Sequence, residues 1–358
     1  MQTKLYNVAI IGASGAVGEE IIAELEDINF PINELILFGS SNSAGQSQTA
    51  FGKDLTIQEL NENSFKIKLN GQFRLHSSSQ IGSSHIDIAF FAAGGDVSAR
   101  FVPLAVEQDI LVIDNTSFFR MDQNVPLIVP EVNIHELKKI KTGKKLIANP
   151  NCSTIQMVQV LNPLHKINPI KRVDVSTYQA VSGAGKGGME ELVMQMQAFF
   201  NFSLSEVEPR VFPHRIALNL IPHIDKFMPS SFTKEELKMI NETHKIMDAS
   251  FPIAATCVRV PILRSHSESI SITFENEFSA EDAKKALASA PNIKLIDNIE
   301  NLEYPMPSLA SETNFTYVGR VRNDLFDSKI LHLFCVADQI KVGAATNAVR
   351  IAKAFIEL

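Results

Sequence analysis

The stretch GASGAVG, residues 12–18, constrains the fold more than any other part of this chain. Gly12, Gly15 and Gly18 follow the apolar run LYNVAII and open into EEIIAEL, which has helical spacing. Glycine permits a tight turn and lets backbone N–H groups approach a phosphate. The helix that follows offers its positive N-terminal end to a pyrophosphate. A strand, a glycine turn and a helix in that order predict the first βα unit of a dinucleotide-binding sheet. A purely structural turn is the competing explanation.

The next 130 residues keep that rhythm. ELILFGSS, HIDIAFFAAGG and ILVIDNTS are continuous apolar runs that end in small or polar residues, as buried parallel strands do. FKIKLNGQFRLHS breaks the pattern, and its alternation around Asn70-Gly71 predicts a hairpin. After residue 170 the texture changes. RVDVSTYQAVS, AATCVRVPIL, SESISITFENEF, FTYVGRVRN and ILHLFCVAD alternate with period two, which predicts a mostly antiparallel sheet with one covered face. MEELVMQMQAFF sets Met189, Leu192, Val193, Met196 and Phe199 at helical spacing. The fold class is therefore α/β. A Rossmann-like domain over 1–150 is expected to be joined by a C-terminal helix, 339–358, and followed by an α+β domain over 151–338.

Length and composition agree. The 358 residues suit two domains, and 45% hydrophobic residues suffice for two cores. A formal net charge of −7 with no basic run argues against nucleic acid and anionic membrane as partners. No run approaches the roughly 18 apolar residues of a membrane span. The first strand begins too early to leave room for a signal peptide. Cys152, Cys257 and Cys335 are odd in number and far apart, which points to a reducing compartment, the cytoplasm.

The tip of the second strand, FGSSNSAG, distinguishes between cofactors. An NAD-binding strand normally ends in Asp or Glu, which accepts from the ribose 2′-OH. Here Ser40, Ser41, Asn42 and Ser43 are neutral, so a 2′-phosphate meets no repulsion and NADP is favoured. A surface loop without a ligand is the alternative.

NPNCSTIQ, residues 149–156, carries the chemistry. Pro150 does not continue a helix, while Asn151, Ser153 and Thr154 are capping residues. A thiol at that helix start feels the positive end of the dipole and is driven toward thiolate, its nucleophilic form. A buried structural cysteine is the bland alternative. Cys257 and Cys335 lie in apolar strands and read as core. A thiolate beside a nicotinamide suits acyl transfer followed by hydride exchange, with a histidine as acid/base. Of nine histidines, His266 in RSHSES is the best placed, with a plain loop histidine as the alternative.

Together these motifs resemble aspartate-semialdehyde dehydrogenase over essentially the whole chain: GASGAVG, NTSFFRMDQNVPLIVPEVN, ANPNCSTI, YQAVSGAGKGGMEEL, IPHIDKF, TKEELKMINETHKI, RVPILRSHSES, YVGRVRND and VGAATNAVRIA. The resemblance implies NADP-dependent reductive dephosphorylation of L-aspartyl 4-phosphate through a cysteine thioester, by a homodimer or homotetramer, with no metal. It implies Cys152 as nucleophile, His266 as acid/base and Gln179 orienting the acyl group. Arg259 would pair with the substrate carboxylate and Glu236 with its amino group, while Arg120, Asn151 and Lys238 would hold phosphate. Gly12, Ser14, Gly15, Val17, Gly18, Ser40 and Ser43 would bind cofactor, with Ser182, Gly183 and Asn347 near the nicotinamide. Arg120 and Arg259 as structural ion pairs, and Glu236 and Lys238 as a solvated helix face, are the alternatives. One departure is Asn42, which stands where the family commonly has Arg. Related acyl-phosphate reductases carry H-P-G-C-Y or S-C-T-T-N around the cysteine, and neither fits NPNCSTI.

Overall fold

The computed structural model describes residues 4–69, 72–74, 85–142 and 144–358. The chain divides into two compact units, Met1–Pro150 with Ala344–Leu358, and Asn151–Gly343.

The first unit is built on strands β1 (Tyr6–Ile11), β2 (Ile32–Gly39), β3 (Ile88–Phe91), β4 (Leu111–Asp114) and β5 (Leu146–Ala148), with helix α1 (Ala16–Asp27) after β1. The order across the sheet is β5-β4-β3-β1-β2, with Gln58–Glu59 at the β2 edge, and every pairing is parallel. β3 and β4 are buried at every position, which explains why they read as unbroken apolar runs. The chain moves outward from β1 to β2 and then returns to lay β3 on the other side of β1. That reversal leaves a crevice at the carboxyl end of β1, where such sheets bind ligands. Residues 12–18 lie there.

Ile67–Leu69 pairs antiparallel with Gln72–Arg74, while the Asn70-Gly71 turn lies outside the described residues. A second hairpin, Ser47–Ala50 with Lys53–Thr56, turns through Phe51 and Gly52, both at positive φ. A phenylalanine in that conformation gives no warning in the sequence.

The second unit opens with α2 (Cys152–His165), followed by β6 (Ile170–Gln179), α3 (Lys234–Met247), β7 (Ile253–Arg259), β8 (His266–Phe274), β9 (Thr316–Asn323) and β10 (Ile330–Ala337). The order is β7-β6-β8-β10-β9, with Ile293–Leu295 outermost. The three inner ladders β6–β8, β8–β10 and β10–β9 are antiparallel, and the two flanking pairs are parallel. The apolar face packs on α2, α3 and helix Ala280–Ser289. α2 is buried all round from Ser153 to Leu161, as a core helix is.

Helix Lys186–Phe200 forms, but its buried face is rotated from the expected one. Val193 and Phe199 are exposed, whereas Glu191 and Gln195 are buried. Glu191 accepts from the backbone N–H groups of Arg210 and Val211, and Gln195 from those of Ile216 and Ala217. Anchoring the 210–217 loop turned this face inward.

The last helix, α4 (Thr346–Ile356), buries Ala348, Val349, Ile351 and Ala352 in the core of the first unit. The switch between units falls at Ala344 rather than at Gln339, so Gln339–Gly343 stays with the second unit. Lys341–Ala345 makes a π-type turn there. Among the described residues no helix is long and apolar enough to cross a membrane.

Candidate active site

In the first unit the glycine turn is sterically obligatory. Gly12 has φ +90, and a Cβ there would stand 2.8 Å from the Ala92 carbonyl oxygen. A Cβ on Gly18 would stand 2.2 Å from the Gly12 oxygen, so α1 lies directly against the turn. Gly15 is the N-cap of α1 and supplies no side-chain cap. The first N–H groups of α1 therefore lack a capping partner from that residue, which suits a pyrophosphate. Val17 packs against the core behind the turn. Ser14 and Ser43 share a hydrogen bond at 3.1 Å, and Ser40 lies 3.3 Å from Ser43. These hydroxyls gather the tip of β2 and the glycine turn into one neutral rim. The residues present fit a dinucleotide.

Asn347 lies at the buried start of α4. Its amide donates to the Ile128 carbonyl (2.9 Å) and to Asn149 Oδ1 (2.7 Å). Its own Oδ1 is buried with no partner among the described residues. Arg120 also belongs to this unit. Its guanidinium donates to the Asn115 carbonyl at 2.8 Å and lies near Asp114, whose carboxyl is raised by burial.

The second unit positions the thiol. Cys152 is the first residue of α2 and is partly exposed, whereas Cys257 and Cys335 are buried. Burial raises both of those thiols, so neither is a ready nucleophile. Asn151 is the N-cap, its Oδ1 accepting from Ser153 and Thr154 N–H at 3.1 Å each. The residue expected to touch phosphate is thus first a cap, with its amide donating to Glu235 Oε1 at 2.8 Å. Gly343, in the π-type turn, packs on the backbone of Cys152. A Cβ there would lie 2.7 Å from Cys152 Cβ.

Glu235 is the hub of the cluster beside this helix start. Its Oε1 accepts from Asn151 and from Gln179 Nε2 (3.2 Å), and its Oε2 accepts from Lys238 Nζ (3.1 Å). Burial opposes its charge, but Lys238 and these hydrogen bonds outweigh it and hold the carboxyl below its usual range. Lys238 also donates to Asp225 at 2.7 Å, and these two carboxylates raise its ammonium despite burial. Lys238 is therefore a paired cation, not a solvated one.

Glu236 does not take the place expected of it. Its Oε2 accepts the Thr233 N–H at 2.7 Å, completing the capping box of α3, and its Oε1 accepts the Cys257 N–H at 3.2 Å. Both of its oxygens hold backbone amides of α3 and β7 rather than any member of the cluster. The carboxylate that faces the cluster is Glu235. The signal was in the sequence: Thr-x-x-Glu, residues 233–236, is a capping-box signature.

Arg259 and His266 form the other side. Arg259, at the end of β7, is buried and donates to the Ala180 carbonyl at 2.6 Å. Burial lowers its pKa, while Glu235 and Cys152 pull it back up. His266 is the first residue of β8, not a loop residue, and is fully buried. Its Nδ1 accepts the Ala180 N–H at 3.0 Å, which leaves the ring proton on Nε2. Burial and then Arg259 lower its pKa well below 6.5, so the imidazole is neutral at pH 7. Nε2 has no partner among the described residues. The bare Cα of Gly183 sits over these groups: a Cβ would lie 2.8 Å from Arg259 Nη1 and 3.3 Å from His266 Nε2. Ser182 accepts from the Gln339 amide through its hydroxyl. Two residues beyond His266, Glu268 is fully buried, and burial raises its carboxyl to about 8, so it adds little negative charge at pH 7.

The second unit thus gathers Cys152, Asn151, Gln179, Lys238, Arg259, His266, Ser182 and Gly183. The first holds Gly12, Ser14, Gly15, Val17, Gly18, Ser40, Ser43, Asn347 and Arg120. Sequence reasoning missed Glu235, Glu242 and Gly343.

Known proteins are similar to this chain along its length. The family described as "Semialdehyde dehydrogenase, NAD binding domain" matches residues 7–140, and "Semialdehyde dehydrogenase, dimerisation domain" matches 161–342. The aspartate-semialdehyde dehydrogenase of Campylobacter jejuni is 54% identical over 99% of both chains, and that of Aquifex aeolicus 47% over 98% of both. The crystal structure of aspartate semialdehyde dehydrogenase II from Vibrio cholerae, complexed with ASA, superposes with a TM-score of 0.90 at 38% identity and 99% coverage of each chain. With a nicotinamide-dinucleotide fold in one unit and a capped, helix-initial cysteine in the other, the chain belongs to the aspartate-semialdehyde dehydrogenase family.

Proposed function

We propose that this chain catalyses the reversible, NADP-dependent reductive dephosphorylation of L-aspartyl 4-phosphate to L-aspartate 4-semialdehyde and phosphate through a thioester on Cys152. The observation that carries this reading is the start of α2, where a partly exposed thiol sits at N1 above a buried, fully hydrogen-bonded cap. The Cys152 thiolate attacks the acyl carbonyl and expels phosphate. Gln179 and the Asn151 cap hold the acyl carbonyl in register. Bound NADPH supplies the hydride that reduces the thioester. The neutral imidazole of His266 donates an Nε2–H hydrogen bond to the oxygen on which charge develops, and that bond weakens as the oxygen re-forms the aldehyde carbonyl and the thiolate departs.

Arg259 offers its planar fork to the substrate α-carboxylate, and Glu235 takes the role of binding the amino group. Arg120 and Lys238 supply positive charge for the transferred phosphate. Gly12, Gly15 and Gly18 receive the pyrophosphate. Ser14, Ser40 and Ser43 receive the 2′-phosphate by hydrogen bonds alone, since Asn42 brings no charge. The orphaned Oδ1 of Asn347 suits the carboxamide N–H of a nicotinamide. Ser182 and Gly183 are assigned to the nicotinamide end of the cofactor. The chain works as a homodimer or homotetramer in the cytoplasm, in the synthesis of lysine, methionine, threonine and isoleucine. The match to a dimerisation domain supports the assembly.

The test is the reverse assay on purified protein. Aspartate semialdehyde with NADP+ should give NADPH only when inorganic phosphate is present, with a lower KM for NADP+ than for NAD+. Turnover of glyceraldehyde 3-phosphate or N-acetylglutamate semialdehyde in its place would overturn the substrate assignment.

A further inference from the structure

The buried stripe of α3 runs Glu235, Met239, Glu242 and Ile246, all at most 5% exposed. Two of these four are carboxylates. Glu235 belongs to the cluster described above, but nothing in the proposed reaction uses Glu242. Its Oε2 accepts the backbone N–H of Asn151 at 2.6 Å.

That bond has a specific meaning at a helix start. In a capping box the N-cap side chain accepts from the N3 backbone, and the N3 side chain accepts from the N-cap N–H. α3 builds its own box this way, with Thr233 and Glu236. In α2 the N-cap is Asn151 and its oxygen accepts from Thr154, the N3 residue. Threonine at N3 is too short to reach back, so the reciprocal half is missing within α2. Glu242 supplies it from another helix.

We propose that Glu242 is a positioning residue for the nucleophile, completing from α3 the capping box of the helix that begins at Cys152. The inference rests on Cys152 being the nucleophile. Holding the Asn151 N–H fixes the extended backbone of the cap, at φ −60 and ψ 142. That in turn aims Oδ1 at the Ser153 and Thr154 amides and sets Cys152 at N1, where the helix end favours thiolate. Glu235 from α3 and Arg259 from β7 also bear on this helix start, and both stay in place when Glu242 is changed.

The experiment compares E242Q with E242M. Glutamine keeps an acceptor for Asn151, whereas methionine fits the apolar stripe without one. The rate of Cys152 alkylation by iodoacetamide is followed against pH, with kcat and KM for aspartate semialdehyde and with Tm as a check on folding. E242M should alkylate about tenfold more slowly at pH 7, its profile displaced upward by about one pH unit, because a helix-end interaction is worth about that factor. Its kcat should fall with the alkylation rate while KM moves less than about threefold, as for an interaction acting on the chemical step. E242Q should restore the wild-type profile. An unmoved profile in E242M overturns the proposal, as does an equal displacement in both variants or faster alkylation in E242M. If wild-type Cys152 alkylates no faster than Cys257 and Cys335, the nucleophile assignment itself fails, a result distinct from failure of the Glu242 proposal.

Discussion

The helices α1 and α2 begin in opposite ways. α1 starts behind Gly15, an N-cap that brings no side chain of its own to the terminal N–H groups. α2 starts behind Asn151, whose oxygen takes two of those groups and whose own N–H goes to Glu242. Both ends carry the same partial positive charge. One is left uncapped by its N-cap residue and is proposed to serve an anion from outside; the other is capped and is proposed to serve a thiolate one residue into its own helix. A dipole by itself is therefore no predictor of function. What matters is whether the protein has already satisfied its hydrogen-bonding groups.

The sharpest way to break this comparison is a pair of variants that separate the two ends. Cys152→Ala should reduce turnover by roughly 10⁴-fold or more, the scale for losing a nucleophile, while NADP+ binding by calorimetry is retained. Gly18→Ala should weaken NADP+ binding by about 100-fold or more, because its Cβ meets the Gly12 oxygen, yet leave Cys152 alkylation as in wild type. Loss of both properties in either variant would show that the two helix starts are not independent.

A smaller effect should follow from closing the open end. Gly15→Asp puts a cap and a carboxylate where the pyrophosphate is proposed to sit. Gly15 already has an extended backbone at φ −82 and ψ 159, which suits an N-cap. NADP+ affinity should fall by about tenfold or more, with Tm changed by only a few degrees. Unchanged affinity would remove α1 from the nucleotide site.

The smallest effect should come from opening the closed end. Asn151→Ala should cost about 1 kcal/mol of stability, read from denaturant unfolding, as cap removals do. Cys152 alkylation should slow by about threefold to tenfold, with nucleotide affinity unaltered. A wild-type alkylation rate would mean that the cap serves stability alone.

Much of this was legible in the residues. Continuous apolar runs announced the parallel sheet because both of its faces are covered, and alternation announced the second sheet because one face of it is. The cysteine was found by its caps, and the glycines by their spacing. Errors arose where a polar group was buried for a local reason. Glu236 reads as a ligand in the sequence because two adjacent glutamates look alike until the capping box assigns one to the backbone. Val193 and Phe199 were placed inward because Glu191 and Gln195 gave no sign that the loop amides would pull them under. Glu242 and Gly343 were invisible, since each acts on residues far away in sequence, and hydrophobic periodicity reports nothing of that.

Gly343 has one more consequence. The backbone that walls in Cys152 is contributed by a residue near the far end of the chain, and the acceptor that holds the cap's N–H by a helix roughly midway between. A ribosome making this protein releases the sulfur long before it releases the parts that surround it. A chain cut short before the π-type turn would carry the cysteine with one wall missing.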